Sequence, residues 1–166
     1  MFELKPIHKE AAQAALERAQ RYRLLNEPIE AESICRDILE IEPENQEALA
    51  TLVLALTDQF EIRLGDAYRE TREALPRFAD EYSRVYYEGI VCERRAKAHF
   101  KRGGPEAPHM AYDWFKRAMD LYEKAEPLRK PGNDESILRW NTCARILNRH
   151  PEIRPAPHER TETMLE

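Results

Sequence analysis

Apolar and small residues along much of the chain recur at steps of three and four, the spacing that lines one face of an α-helix. Ala12, Ala15, Leu16, Ala19 and Tyr22 make the first such stripe. Asn26 and Pro28 follow. Asparagine tolerates the left-handed backbone that closes a helix, and proline suits the first turn of the next one. The second stripe is Ala31, Ile34, Cys35, Ile38 and Leu39, and Pro43 stops it because a proline nitrogen has no proton to donate. Ala48, Leu49, Leu52, Val53 and Leu56 make a third, starting near Gln46. Stripes this narrow do not stabilise isolated helices in water, so each helix needs a neighbour to cover its apolar side.

The pattern continues with longer interruptions. DQFEIRLGD reads as an extended turn, after which Ala67, Thr71 and Ala74 resume helical spacing. Pro76 either ends that helix at Leu75 or begins the next, since both positions accept its fixed φ. A long helix is predicted from about Asp80 to Arg102, followed by the loop GGPEAP and a helix carrying Ala111, Trp114, Phe115, Ala118, Leu121, Tyr122 and Ala125. After RKPGND, the segment SILRWNTCARILN is a seventh helix, with Trp140, Cys143, Ala144 and Leu147 on one side. From His150 the chain has three prolines and little apolar content, which predicts an extended or disordered tail over 150–166. The expectation is an all-α domain of seven main helices over 1–149.

The hairpin over 12–45 resembles a tetratricopeptide repeat, a unit of about 34 residues built from two antiparallel helices. Ala19 stands where the family has a small residue, Tyr22 where it has an aromatic, Ala31 where a small residue opens the second helix, and Pro43 at the turn to the next repeat. Ala15, Arg18 and Cys35 depart from the usual tryptophan, leucine and aromatic. Gly89, Ala111, Phe115 and Ala118 fall at family spacings further along, giving about three and a half repeats over 12–149.

The resemblance implies hairpins stacked in a right-handed superhelix, with the first helix of each repeat lining a concave groove that holds a peptide or helical segment. Carried over position by position, the lining is Leu16, Gln20 and Arg23, then Leu54 and Asp58, then Tyr86, Ile90 and Arg94, and finally Asn141 and Arg145. Leu16, Gln20, Thr51, Ser83 and Tyr87 occupy the sites of the carboxylate clamp that captures chaperone C-termini, so that partner class is rejected. A non-enzymatic scaffold or adaptor is implied, holding a protein or peptide segment with an acidic flank. Replacing Tyr86 and Arg145 by alanine is expected to weaken that binding.

Charge and composition refine this picture. Charged residues are 34% of the chain, apolar ones 42%, and the formal net charge is -5, a balance that opposes general nucleic-acid binding. The exception is RRAKAHFKR, residues 94–102, where Arg94, Arg95, Lys97, Lys101 and Arg102 occur without an acid. Spread around most of the helix, they suggest that its last turns project beyond the bundle. Such cations complement a helix C-terminus; the alternative function is a regulatory module contacting nucleic acid or another anion through Arg95, Lys97, Lys101 and Arg102. Between Glu27 and Glu47, eight acids face the single base Arg36. An acidic end and a basic middle favour head-to-tail homo-oligomers or a charge-steered partner.

Candidate chemistry adds little. Cys35, Cys92 and Cys143 fall on the buried stripes of their helices, and no Cys or His pair has the short spacing of a zinc site, so neither metal nor cofactor is expected. No nucleophile elbow, phosphate-cradling loop or His-Glu-x-x-His is present, and no catalytic residue is assigned. No apolar run approaches the ~20 residues of a bilayer span, and the first residues lack a secretory pattern, which points to a cytoplasmic protein.

Overall fold

The three N-terminal stripes become α1 (Ala12–Leu24), α2 (Pro28–Ile41) and α3 (Gln46–Thr57) in the computed structural model, which describes residues 1–157. α4 (Phe60–Ala74), α5 (Glu81–Arg102), α6 (Ala107–Ala125) and α7 (Glu135–Arg149) complete the set, and no strand occurs among the described residues. The predicted boundary residues act as expected. Asn26 takes a left-handed φ of 58° between α1 and α2. The Asn45 side chain accepts a hydrogen bond from the Ala48 amide at 2.9 Å, and Asp80 accepts one from the Ser83 amide at 2.9 Å, each satisfying a free N–H at a helix start. Gly103 and Gly104, with φ of 77° and 100°, end α5.

One expectation is corrected and two are made more specific. The stretch DQFEIRLGD is not a long turn. Phe60 is buried and anchors α4 directly after α3, and the irregularity shrinks to one residue, Arg63, at φ -137° and ψ 54°. The Arg63 guanidinium donates to Gln59 at 2.7 Å, Glu32 at 2.8 Å and Glu70 at 2.8 Å, which fixes the kink. Pro76 lies in a short 3₁₀ turn, Leu75–Arg77, that extends α4; α5 starts only after Phe78 and Asp80. Helix stops at Arg149 as expected of the tail, but the residues that follow are docked. Ile153 is buried in the core, His150 packs edge-on against Phe100 at 5.2 Å, and His109 Nδ1 lies 2.9 Å from the Arg154 carbonyl oxygen. The first residues after α7 therefore dock on α5 and α6; residues 158–166 of the predicted tail lie outside the described residues.

Helices of like parity touch one another, giving two layers. Arg23 of α1 meets Asp58 at the end of α3, α3 packs on α5, and Arg139 of α7 meets Glu93 of α5. In the other layer, Glu32 and Arg36 of α2 pair with Arg63 and Glu70 of α4, and Tyr68 of α4 packs edge-on against Trp114 of α6 at 5.9 Å. The core falls into two clusters. Leu16, Ile38, Leu49, Leu56 and Phe60 lie in one, and Ile90, Phe115, Tyr122 and Cys143 in the other. α5 and α6 pack tightly at Gly89, where an added Cβ would stand 2.6 Å from the Tyr122 ring.

Candidate partner-binding face

The face shared by α1, α3, α5 and α7 is organised by two acids. Asp58 accepts from Arg23 Nε at 2.8 Å and from Arg94 at 3.3 Å, so one carboxylate ties three helices together. Glu93, next to Arg94 on α5, is fully buried. It accepts from Lys97 Nζ at 2.5 Å, from the Tyr122 hydroxyl at 2.6 Å and from Arg139 at 3.3 Å. Burial raises the Glu93 pKa, yet the Lys97 charge and its hydrogen bond, with Tyr122 and Arg139, outweigh it and hold the carboxyl below its ordinary range. Burial and the facing Glu93 charge push the Tyr122 hydroxyl upward, so it stays a proton donor.

The predicted groove residues divide into two sets. Gln20 and Arg145 are exposed, and Arg23, Leu54, Asp58, Arg94 and Asn141 are partly exposed. Leu16, Tyr86 and Ile90, at 2%, 8% and 1% exposure, are core residues and not accessible lining. Leu16 packs into the cluster of α1–α4. Tyr86 stacks on Tyr82 with ring centres 5.5 Å apart and meets Tyr122 at 6.1 Å, while its hydroxyl reaches Glu135 of α7 at 3.4 Å. Burial pushes that hydroxyl to about 12. An aromatic there fills the space between α5, α6 and α7 rather than facing solvent. Of the four apolar residues in the predicted lining, only Leu54 is therefore partly accessible.

Glu93, Arg139 and Tyr122 were missed as a set. The clue was in the spacing: Glu93 falls four residues after Gly89 and four before Lys97, which places a carboxylate next to the small residue that marks close packing. An acid at that register needs partners, and α6 and α7 supply them.

The basic run does not project beyond the bundle. Ala96, Ala98 and His99 are buried, so α5 stays covered almost to its end. Arg94 is held by Asp58, Lys97 by Glu93, and Lys101 by Glu61 of α4 at 2.6 Å. The Arg95 guanidinium lies 4.0 Å from the Tyr68 ring centre and 4.1 Å from that of Trp114, a cation between two aromatic faces. Arg102 alone of the five has no ion pair or ring partner among the described residues. Four of these five cations thus have a partner inside the molecule, and Lys101 and its partner Glu61 remain exposed at the surface. On the acidic side, Glu32 is internal too. Burial raises its pKa, but hydrogen bonds from Gln59 and Arg36 and the Arg36 and Arg63 charges bring it below the ordinary value.

All three cysteines are buried, and burial raises each thiol to about 12, far from a reactive thiolate. Among the described residues no group of three or more His, Cys, Asp or Glu is arranged to hold a metal ion. A cleft of about 620 Å³ lies between Leu4 and Pro6 of the N-terminal arm and Arg36, Leu39, Leu52 and Arg77. No described helix is long and apolar enough to cross a membrane.

No family model matches the chain, and no curated protein or solved structure is significantly similar to it.

Proposed function

We propose that the protein is a non-enzymatic scaffold or adaptor that holds a protein or peptide segment against the face shared by α1, α3, α5 and α7. The observation that carries this reading is the two-layer order of the helices, in which Arg23–Asp58–Arg94 and Glu93–Arg139 stitch successive first helices side by side. Stacked hairpins of this kind present a long continuous wall, and such walls serve as docking surfaces for extended or helical segments. The repeat-like positions Ala19, Tyr22, Ala31 and Pro43 support a tetratricopeptide-like arrangement, with the superhelical curvature that the resemblance implies.

The exposed part of the predicted lining consists of Gln20 and Arg145, with Arg23, Leu54, Arg94 and Asn141 half-buried. Its polar donors and its cationic end at Arg145 suit a segment with an acidic flank. Affinity chromatography with the intact protein, followed by titration of the recovered partner, tests the reading. Gln20→Ala combined with Arg145→Ala should weaken binding about tenfold or more, the effect of losing contacts worth about 1.4 kcal/mol. Helicity should not change. Unaltered affinity in the double variant refutes the assignment.

A further inference from the structure

α7 is fastened differently from the helix before it. Only Ser136 and Cys143 of α7 are fully covered, whereas α6 buries seven residues. Of its other apolar side chains, Trp140, Ala144, Ile146 and Leu147 are only partly buried where they meet the core, and Leu138 is exposed. Much of the attachment is polar: Arg139 to Glu93 at 3.3 Å, Glu135 to the Tyr86 hydroxyl at 3.4 Å, and Trp140 Nε1 to Glu123 at 2.9 Å. Around its first turn the contact with α5 is polar as well, with the Tyr82 hydroxyl buried beside Asn133 and the Ser136 hydroxyl.

Departure of α7 would not strand the buried acid. Glu93 keeps Lys97 on its own helix and the Tyr122 hydroxyl on α6, both at shorter distances than Arg139. One partner is replaceable and two are permanent, an arrangement suited to a contact that opens. The connection between α6 and α7 contains Gly132 at φ 83°, a backbone state glycine adopts without strain. Beyond α7, Ile153 and the Arg154 carbonyl fasten the far end to the α5–α6 hairpin.

We propose that α7, with the strap at 150–154, is a latch that swings from the α5–α6 hairpin about the 129–134 connection and uncovers Cys143 together with the Tyr82 and Tyr86 rings. The latch does not rest on the partner-binding reading, and its test needs no partner.

The three cysteines make the motion measurable. All three thiols are free and buried, so each reacts with N-ethylmaleimide only when it is uncovered, and their relative rates report access. Cys143 lies on the latch; Cys35 lies on α2 and Cys92 on α5. In the intact protein without denaturant, peptide mass spectrometry should show Cys143 modified about tenfold or more ahead of both others, as expected of sub-global opening. Arg139→Gln should accelerate Cys143 by roughly a further tenfold, the ratio implied by losing a hydrogen bond to a charged group, and leave Cys35 and Cys92 unchanged. Hydrogen exchange of the unmodified protein supplies a second measurement that does not depend on the variant: α7 amides should exchange ahead of those of α5 and α6. A single common rate for the three thiols, or α7 amides protected as strongly as those of α5, overturns the proposal. So does an Arg139→Gln protein that loses its helicity as a whole, because α7 would then be integral to one folding unit.

Discussion

Replacing Gly89 by alanine tests the close approach of α5 and α6 on which the second core cluster depends. In an exposed helix the change would stabilise by about 1 kcal/mol, because glycine is a poor helix former. Here the new methyl would stand 2.6 Å and 2.8 Å from two carbons of the Tyr122 ring, closer than carbon atoms can pack. The ring is buried and its hydroxyl is bound to Glu93 at 2.6 Å, so it cannot swing away freely. Overpacking of this kind costs about 1–3 kcal/mol. Withdrawal of the ring would also weaken a hydrogen bond to a charged group, worth about 1.5–3 kcal/mol. Together these exceed the propensity gain, and the net expectation is destabilisation by about 1.5–5 kcal/mol. Urea unfolding followed by circular dichroism measures it, with each kcal/mol also lowering Tm by about 2–4 °C for a chain of this size. Coupling adds a sharper check: in a Tyr122→Leu background, which frees the space, Gly89→Ala should cost much less than in the parent. A Gly89→Ala protein as stable as the parent would refute the geometry at this contact.

Other perturbations have defined outcomes. Glu93→Gln removes the charge that Lys97 and Arg139 share and should lower stability by about 2–4 kcal/mol, toward the lower end of broken buried pairs because Lys97 can reach solvent; urea unfolding at neutral pH measures it. Glu93, Glu32 and Asp80 are all held below their ordinary pKa values, so they contribute stability above the unfolded carboxyl range near 4 and lose it as pH falls through their folded values. A pH series of urea midpoints should show this acid-side decline, and it should be shallower in Glu93→Gln than in the parent. Tyr86→Ala should cost about 3–5 kcal/mol in the same assay, as expected of an emptied aromatic site in a core and not of a surface contact. Asp80→Ala should cost about 1 kcal/mol by removing the acceptor at the start of α5.

The order of helices was legible because local rules govern it. Pro28, Asn45 and Asp80 sit at helix starts and Asn26 at a helix end for reasons that act within a few residues. The three-and-four stripes of Ala31, Cys35 and Ile38, or of Ala111, Phe115 and Ala118, show which side of a helix is covered, and these residues are indeed buried. What covers it is not local. Arg63 kinks α4 because Glu32 and Glu70 lie beside it in space, thirty-one residues away in one case and seven in the other. The helix position of Tyr86 allows an open face, but Tyr82, Tyr122 and α7 close around it. The cations of 94–102 are a strong sequence signal, yet their partners Asp58, Glu61, Tyr68 and Trp114 come from other helices and no periodicity foretells them. Ile153 lies in a proline-containing stretch of low apolar content and still docks, because the His150 ring on Phe100 and the His109 contact to the Arg154 carbonyl hold the segment beside it.

The central claim, that a guest segment lies along the face of α1, α3, α5 and α7, is tested most directly by site-specific photo-crosslinking. A photoreactive residue placed in turn at Gln20, Asn141 and Arg145 should crosslink the bound partner, and one placed at Lys116 or Lys124 on the outer side of α6 should not. Crosslinks confined to α6, or spread equally over both layers, would contradict the account.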